Sequence, residues 1–136
     1  MKKKNLSKLI FTIGIFVVVS ALLISLIFLR KNEDNWMKNE KGIWIKHGNP
    51  KSIPDYVKSQ QELISCALNL YAKNKLEGMN FSSQCLGNCN EYAVDIVHNP
   101  RSSEDNLKEN QCEDYFSGKL SHFIEIDKEG NIIRIV

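Results

Sequence analysis

Eight residues of this 136-residue chain invite a chemical reading: Cys66, Cys85, Cys89 and Cys112, then His47, His98 and His122, and Asp95 inside an apolar run. Four cysteines can hold a metal, run redox chemistry, supply a nucleophile or staple a fold. Zinc takes four ligands, usually from paired Cys-x2-4-Cys knuckles. Cys85 and Cys89 make one such knuckle, but Cys66 and Cys112 make no second, so no metal site is expected. A dithiol redox motif wants Cys-x-x-Cys, and the spacing here is one residue too long. An even count in a small exported domain points instead to two disulfides. No cofactor motif is present, and none is expected. The histidines border turns or begin a strand and read as ordinary polar positions. Asp95 shares a strand face with Ala93 and Val97, a face expected to be open to water.

Sequence alone allows three pairings of the cysteines. Cys85–Cys89 would close a very short loop, which constrains the unfolded chain least. Cys66 falls on the main helix, and the loop bearing Cys85 and Cys89 folds back from that helix into the first central strand. Cys112 precedes the next strand, whose entry loop lies in the same region. The expected pairing is therefore Cys66–Cys89 with Cys85–Cys112, swapping Cys85 and Cys89 being the close competitor.

A catalytic reading competes with the staples. Gly87-Asn88-Cys89-Asn90-Glu91-Tyr92-Ala93 resembles the Gly-x-Cys-x-x-Tyr-Ala stretch of transglutaminase-like cysteine enzymes. His122-Phe123-Ile124-Glu125 lies where the histidine-bearing strand of that family would follow. The resemblance covers about ten residues. It implies Cys89 as nucleophile and His122 as its base, acting on peptide or amide bonds. The redox state of Cys89 separates the two readings, since a bonded sulfur is no resting nucleophile.

The elements that must position these residues begin at position 42. Residues 43–47 read as an edge strand, closed by the turn Gly48-Asn49-Pro50. The best helix signal runs from about 53 to 76. Ser52 and Asp55 offer a capping box, Lys73 and Lys75 suit the C-terminal dipole, and Gly78 suits a left-handed cap. Its apolar stripe is Val57, Ile64, Ala67, Leu68 and Tyr71, widened by Leu63, Cys66 and Leu70, broad enough to be covered on several sides. Residues 79–90 read as a loop, 92–98 as a strand and 110–117 as a two-turn helix. Residues 121–127 and 132–136 form a hairpin signal. The fold class is α+β: an N-terminal transmembrane helix, then one long helix packed on a small antiparallel sheet, disulfide-stapled.

The membrane segment is residues 9–29, 21 positions without a charge. At 1.5 Å per residue they span roughly 31 Å, about the thickness of a hydrocarbon core. A cleaved signal peptide has a shorter apolar core of about 7–15 residues and a small-x-small site, which this run lacks. Residues 1–31 carry six Lys/Arg and no acid, so residues 32–136 carry 12 Lys/Arg against 16 Asp/Glu. The positive-inside rule then puts the N-terminus in the cytoplasm. The expected organisation is a basic cytoplasmic tail at 1–8, the span at 9–29, a polar stalk at 30–41 and an extracytoplasmic domain at 42–136. Residues 32–136 are acidic on balance, which removes the main argument for nucleic acid, a partner that needs a basic face; none is expected. The expected partners are the membrane, through 9–29, and a protein outside the cytoplasm. The expected role is binding or scaffolding, with the Cys89/His122 enzyme as alternative.

Overall fold

The computed structural model describes the backbone of residues 2–31 and 34–136, and side chains at 11–27 and 34–136. The chain divides into two compact units, one made of 1–35 with 46–51 and the other of 36–45 with 52–136.

In the first unit, α1 (Lys2–Lys31) is a single helix of 30 residues. Its described side chains are mostly apolar and nearly all exposed, Phe11, Phe16 and Leu26 by 72%, 76% and 61%. Ser20 turns its hydroxyl back to the carbonyl of Phe16, 2.8 Å away, so this polar group is satisfied within the helix. Among the described residues no helix is long and apolar enough to cross a membrane. The side chains at positions 9, 10, 28 and 29 of the expected span, and those of the tail 1–8, lie outside the description.

A two-stranded ribbon pairs β1 (Asn35–Lys38) with β2 (Trp44–His47), and its residues 36–38 and 44–45 belong to the second unit. Two expectations are corrected here. Residues 35–38 are a strand rather than stalk, and 44–47 pair with them rather than edging the main sheet. The cause is Asn39, whose Oδ1 accepts the amides of Lys41 and Ile43 and closes the turn between the strands. The turn itself abuts the main sheet. Ile135 donates its amide to the carbonyl of Lys41 at 2.9 Å. At Gly42 (φ +76°) a Cβ would fall 2.3 Å from the Ile135 oxygen, so only glycine fits.

Helix α2 (Asp55–Leu76) buries Val57, Leu63, Ala67 and Tyr71, the last three at i, i+4, i+8 on one stripe. The capping box is absent: Pro54 is the N-cap with no side-chain bond, and Asp55 pairs instead with Lys58 at 3.0 Å. Lys73 and Lys75 lie in the last turn, and Gly78 at φ +80° follows as the left-handed residue.

The main sheet runs β3 (Gln84–Cys89), β4 (Tyr92–Ile96), β5 (His122–Ile126), β6 (Ile132–Ile135) in spatial order. β3–β4 and β5–β6 are antiparallel hairpins, while β4–β5 is parallel. The expected antiparallel sheet is thus a mixed one, and β3 replaces part of the expected loop. Chain connectivity explains the parallel pair. Residues 97–121 form a long crossover with two 3-10 turns (Ser103–Asn106, Lys108–Asn110) and the single-turn helix α3 (Glu113–Phe116), enough to return the chain to the same end. The expected two-turn helix at 110–117 shrinks to α3, whose N-cap is Cys112.

The sheet is therefore covered on both faces. α2 covers the first, over Val94, Ile96, Ile124, Ile126 and Ile135 with Cys89. The crossover covers the second, where Ala93, Phe123 and Cys112 cluster. Burial on both sides accounts for the unbroken buried runs at 93–97 and 123–127.

Candidate functional site

Cys66 on α2 is bonded to Cys89 at the end of β3, and Cys85 near the start of β3 is bonded to Cys112 on the crossover. Both bonds lie in the second unit, and two disulfides are the mark of an oxidising compartment. Cys89 is 1% exposed and carries no thiol. The base that the resemblance implies is not beside it. Cys89 pairs with Tyr92, and Tyr92 with His122, so His122 stands two strands away, roughly 10 Å at about 4.8 Å per strand. Its ring stacks on Tyr92 with centroids 5.0 Å apart. The residues after Cys89 form a strand. The nucleophile and base implied by the resemblance are not brought together.

What is brought together lies on the face beneath the crossover. Cys85 pairs with Asp95, Asp95 with Glu125, and Glu125 with Arg134. One row across four strands thus carries a sulfur, two carboxyl groups and a guanidinium. Glu125 is 4% exposed and ion-paired twice. Arg134 clasps it through Nε at 2.5 Å and a terminal nitrogen at 3.0 Å, and Arg101 reaches it from the crossover. This bidentate pairing raises the Arg134 pKa further above its ordinary value. Asp95 has no such partner. It is 7% exposed and accepts the Cys112 amide at 3.1 Å. Burial raises its pKa to about 6; the Cys112 amide opposes that, the Glu125 charge adds to it, and Arg101 pulls it down. The expectation that the face of Ala93, Asp95 and Val97 is open to water is corrected: the crossover lies on it.

A cavity of about 160 Å³ runs along this row, with Ser83, Asp95, Arg101, Asp105, Glu125 and Arg134 among its walls. Ser83 Oγ is buried there without a hydrogen-bond partner. Its hydroxyl lies close enough to Asp105 to favour that carboxylate electrostatically, without reaching bonding geometry. Asp105 is held as an anion. Burial works against ionisation, but the Ser102 amide, the His98 ring, the His98 amide and Ser83 outweigh it.

His98, Ser102 and Asp105 superficially form a catalytic set. Asp105 Oδ1 (2.9 Å) and Ser102 Oγ (3.0 Å) both meet the same His98 nitrogen, Nδ1. A triad needs its serine and acid on opposite ring nitrogens, so this ring relays no proton between them. The cluster is instead a capping box, with Ser102 donating its amide to Asp105 and accepting that of Glu104. Cys85, Asp95 and Cys112 place two sulfurs and an oxygen within 4.8 Å of one another, a metal-like spacing. Both sulfurs are spent on the disulfide, so no thiolate is on offer.

A second concavity, of about 690 Å³, opens between β2, α2 and the β3–β4 turn. Trp44 and Tyr56 pack on each other in its wall, with centroids 4.6 Å apart, Lys38 Nζ lies 5.3 Å from the Trp44 ring, and Tyr92, Asn90 and Glu91 are also among the lining. Gln60 fixes Trp44 by accepting its amide at 2.7 Å while donating to Gly42.

Sequence reasoning missed the acid pair, both arginines and this groove. The available signal was parity: Asp95 and Glu125 each sit at the centre of a β-branched run, where a charge is costly without a partner. Comparison with known proteins finds no matching family model, no matching curated protein and no matching solved structure, so function rests on the chain's own chemistry.

Proposed function

We propose that this protein is a single-pass, membrane-anchored domain displayed outside the cytoplasm, which binds a protein partner at the aromatic groove. The observation that carries the binding reading is the groove itself. Its volume falls within the roughly 300–1,000 Å³ typical of binding sites, and Trp44, Tyr56 and Tyr92 supply the aromatic anchors that dominate interface energies. Tyr56 is 49% exposed, an apolar surface available at little cost in entropy. The anchoring reading is supported by the apolar run 9–29 between cationic flanks, and the outer location by two disulfides on its C-terminal side.

A photo-crosslinking residue at position 56 of the full chain, in its native membrane, tests the groove. A discrete adduct is expected from 56 and not from the exposed control position 109. Trp44→Ala should weaken it about tenfold, the scale of one aromatic hot spot. Equal labelling from 56 and 109, or an adduct indifferent to Trp44→Ala, would contradict the reading. A reporter fused after Val136 should be active only outside the cytoplasm.

A further inference from the structure

The two disulfides have different surroundings. Cys66–Cys89 is part of the apolar core beneath α2. Cys85–Cys112 joins an exposed residue on the edge strand β3 to one that is 1% exposed under the crossover. Thiol–disulfide exchange is governed by which sulfur is accessible and by how well the other leaves. An attacking thiolate can reach Cys85, and the departing sulfur is then the buried one, Cys112.

A buried thiolate leaves poorly unless it gains a proton. Asp95 is the neighbour that can provide one. It pairs with Cys85 across the strands and accepts the Cys112 amide, and its carboxyl oxygen lies within 4.8 Å of both sulfurs. That distance is closed by one bridging water or a small rotation. Asp95 also lines the 160 Å³ cavity, which is polar and large enough for several waters. Ser83, buried there without a partner, offers such water a hydrogen bond. The carboxyl therefore has the disulfide on one side and a route for protons on the other.

We propose that Cys85–Cys112 is a thiol–disulfide exchange site that accepts two electrons from an external dithiol, with Asp95 as the proton donor to Cys112. One thiolate of the dithiol attacks Cys85 Sγ. The Cys85–Cys112 bond breaks, its electron pair goes to Cys112 Sγ, and that sulfur takes the Asp95 proton. The proton lost by the attacking thiol restores Asp95 through the cavity. The second thiol of the substrate then attacks its own sulfur in the mixed disulfide, releasing Cys85, which takes that thiol's proton. The substrate ends as a disulfide and the protein as two thiols.

The groups facing Asp95 tune its acid form. Glu125 on β5 favours it and Arg101 on the crossover opposes it, while Asp105, Tyr115 and Arg134 complete the titratable lining. With a pKa of about 6, roughly a tenth of the population carries the proton at pH 7.

The test uses the full chain in mild detergent, with limiting dithiothreitol from pH 5 to 8, acid quench, alkylation and peptide mapping. Cys85–Cys112 should open at least about tenfold faster than Cys66–Cys89. Glutathione, a monothiol, should be trapped on Cys85 and not on Cys112. The rate constant, expressed per reductant thiolate, should fall as pH rises through about 6. In Asp95→Asn that dependence should vanish while the circular dichroism spectrum is kept. Glutathione on Cys112, equal opening of both bonds, or a pH profile shared with folded Asp95→Asn would overturn the proposal. If the variant does not fold, the wild-type adduct site and a wild-type profile flat across pH 6 remain able to overturn it.

Discussion

Asp95 is a carboxyl group whose surroundings are arranged against its charge. Its folded pKa of about 6 lies above the unfolded value of 3.8, so the folded state holds the proton more tightly. The stabilisation is complete below about pH 4 and is lost as pH rises through 6, a change of roughly 3 kcal/mol at about 1.36 kcal/mol per pH unit. Asp105 and Asp127 run the other way. Burial opposes their ionisation, but hydrogen-bond donors from Ser102 and His98, and from Asn131 and Asn99, outweigh it, so both pKa values are lowered. Their contribution is present above the unfolded carboxyl range and disappears in acid, below the window of Asp95. Urea titration of the full chain at pH 5 and pH 8 should therefore show wild type weaker at the higher pH. In Asp95→Asn that decline should shrink by roughly 1.4 kcal/mol, the part of the Asp95 contribution that falls between those two pH values, because Asn keeps an acceptor for the Cys112 amide without the charge. An undiminished decline would place the pH dependence elsewhere. None of this was legible from the sequence around Asp95. Alternation correctly put it on a face with Ala93 and Val97, but whether water or protein covers a strand face is decided by a crossover more distant in the chain.

Elements were legible where their signals were local. The α2 stripe, the glycine after it and the β5–β6 hairpin all follow from short-range pattern, and the structure has them. β3 was not. Gln84 to Cys89 contains a glycine, an asparagine and two cysteines, and takes its strand form from pairing with β4 rather than from propensity. The parallel β4–β5 pair was missed for a related reason: direction depends on how the 97–121 crossover returns, which no periodicity records. The hairpin offers a sharp test. Its turn packs on α2, with Tyr71 donating its hydroxyl to the Lys128 carbonyl at 2.9 Å. At Gly130 (φ +95°) a Cβ would sit 2.9 Å from the Tyr71 ring. Gly130→Ala combines an unfavourable backbone with that clash and should cost about 2–3 kcal/mol in urea or thermal unfolding. Tyr71→Leu, which withdraws the ring but keeps bulk, should relieve part of the penalty in the double variant. A neutral Gly130→Ala would show that α2 does not clamp this turn.

At the scale of the molecule, the cysteines tie the second unit together from both sides of its sheet. Cys66–Cys89 joins the helix layer to the sheet, and Cys85–Cys112 joins the crossover layer to the same strand, β3. Each closed loop of about 25 residues is worth roughly 3–4 kcal/mol by chain entropy, a large share of a small domain's stability. The arrangement suits an oxidising environment, where staples can hold a modest core together. The most direct measurement is non-reducing peptide mapping of the full chain, alkylated at neutral pH as the cells that make it are lysed. The account predicts linked peptides carrying Cys66 with Cys89 and Cys85 with Cys112, with no alkylated cysteine in the bulk population. Cys89 recovered free and rapidly alkylated would contradict the doubly stapled fold and return Cys89 to the nucleophiles.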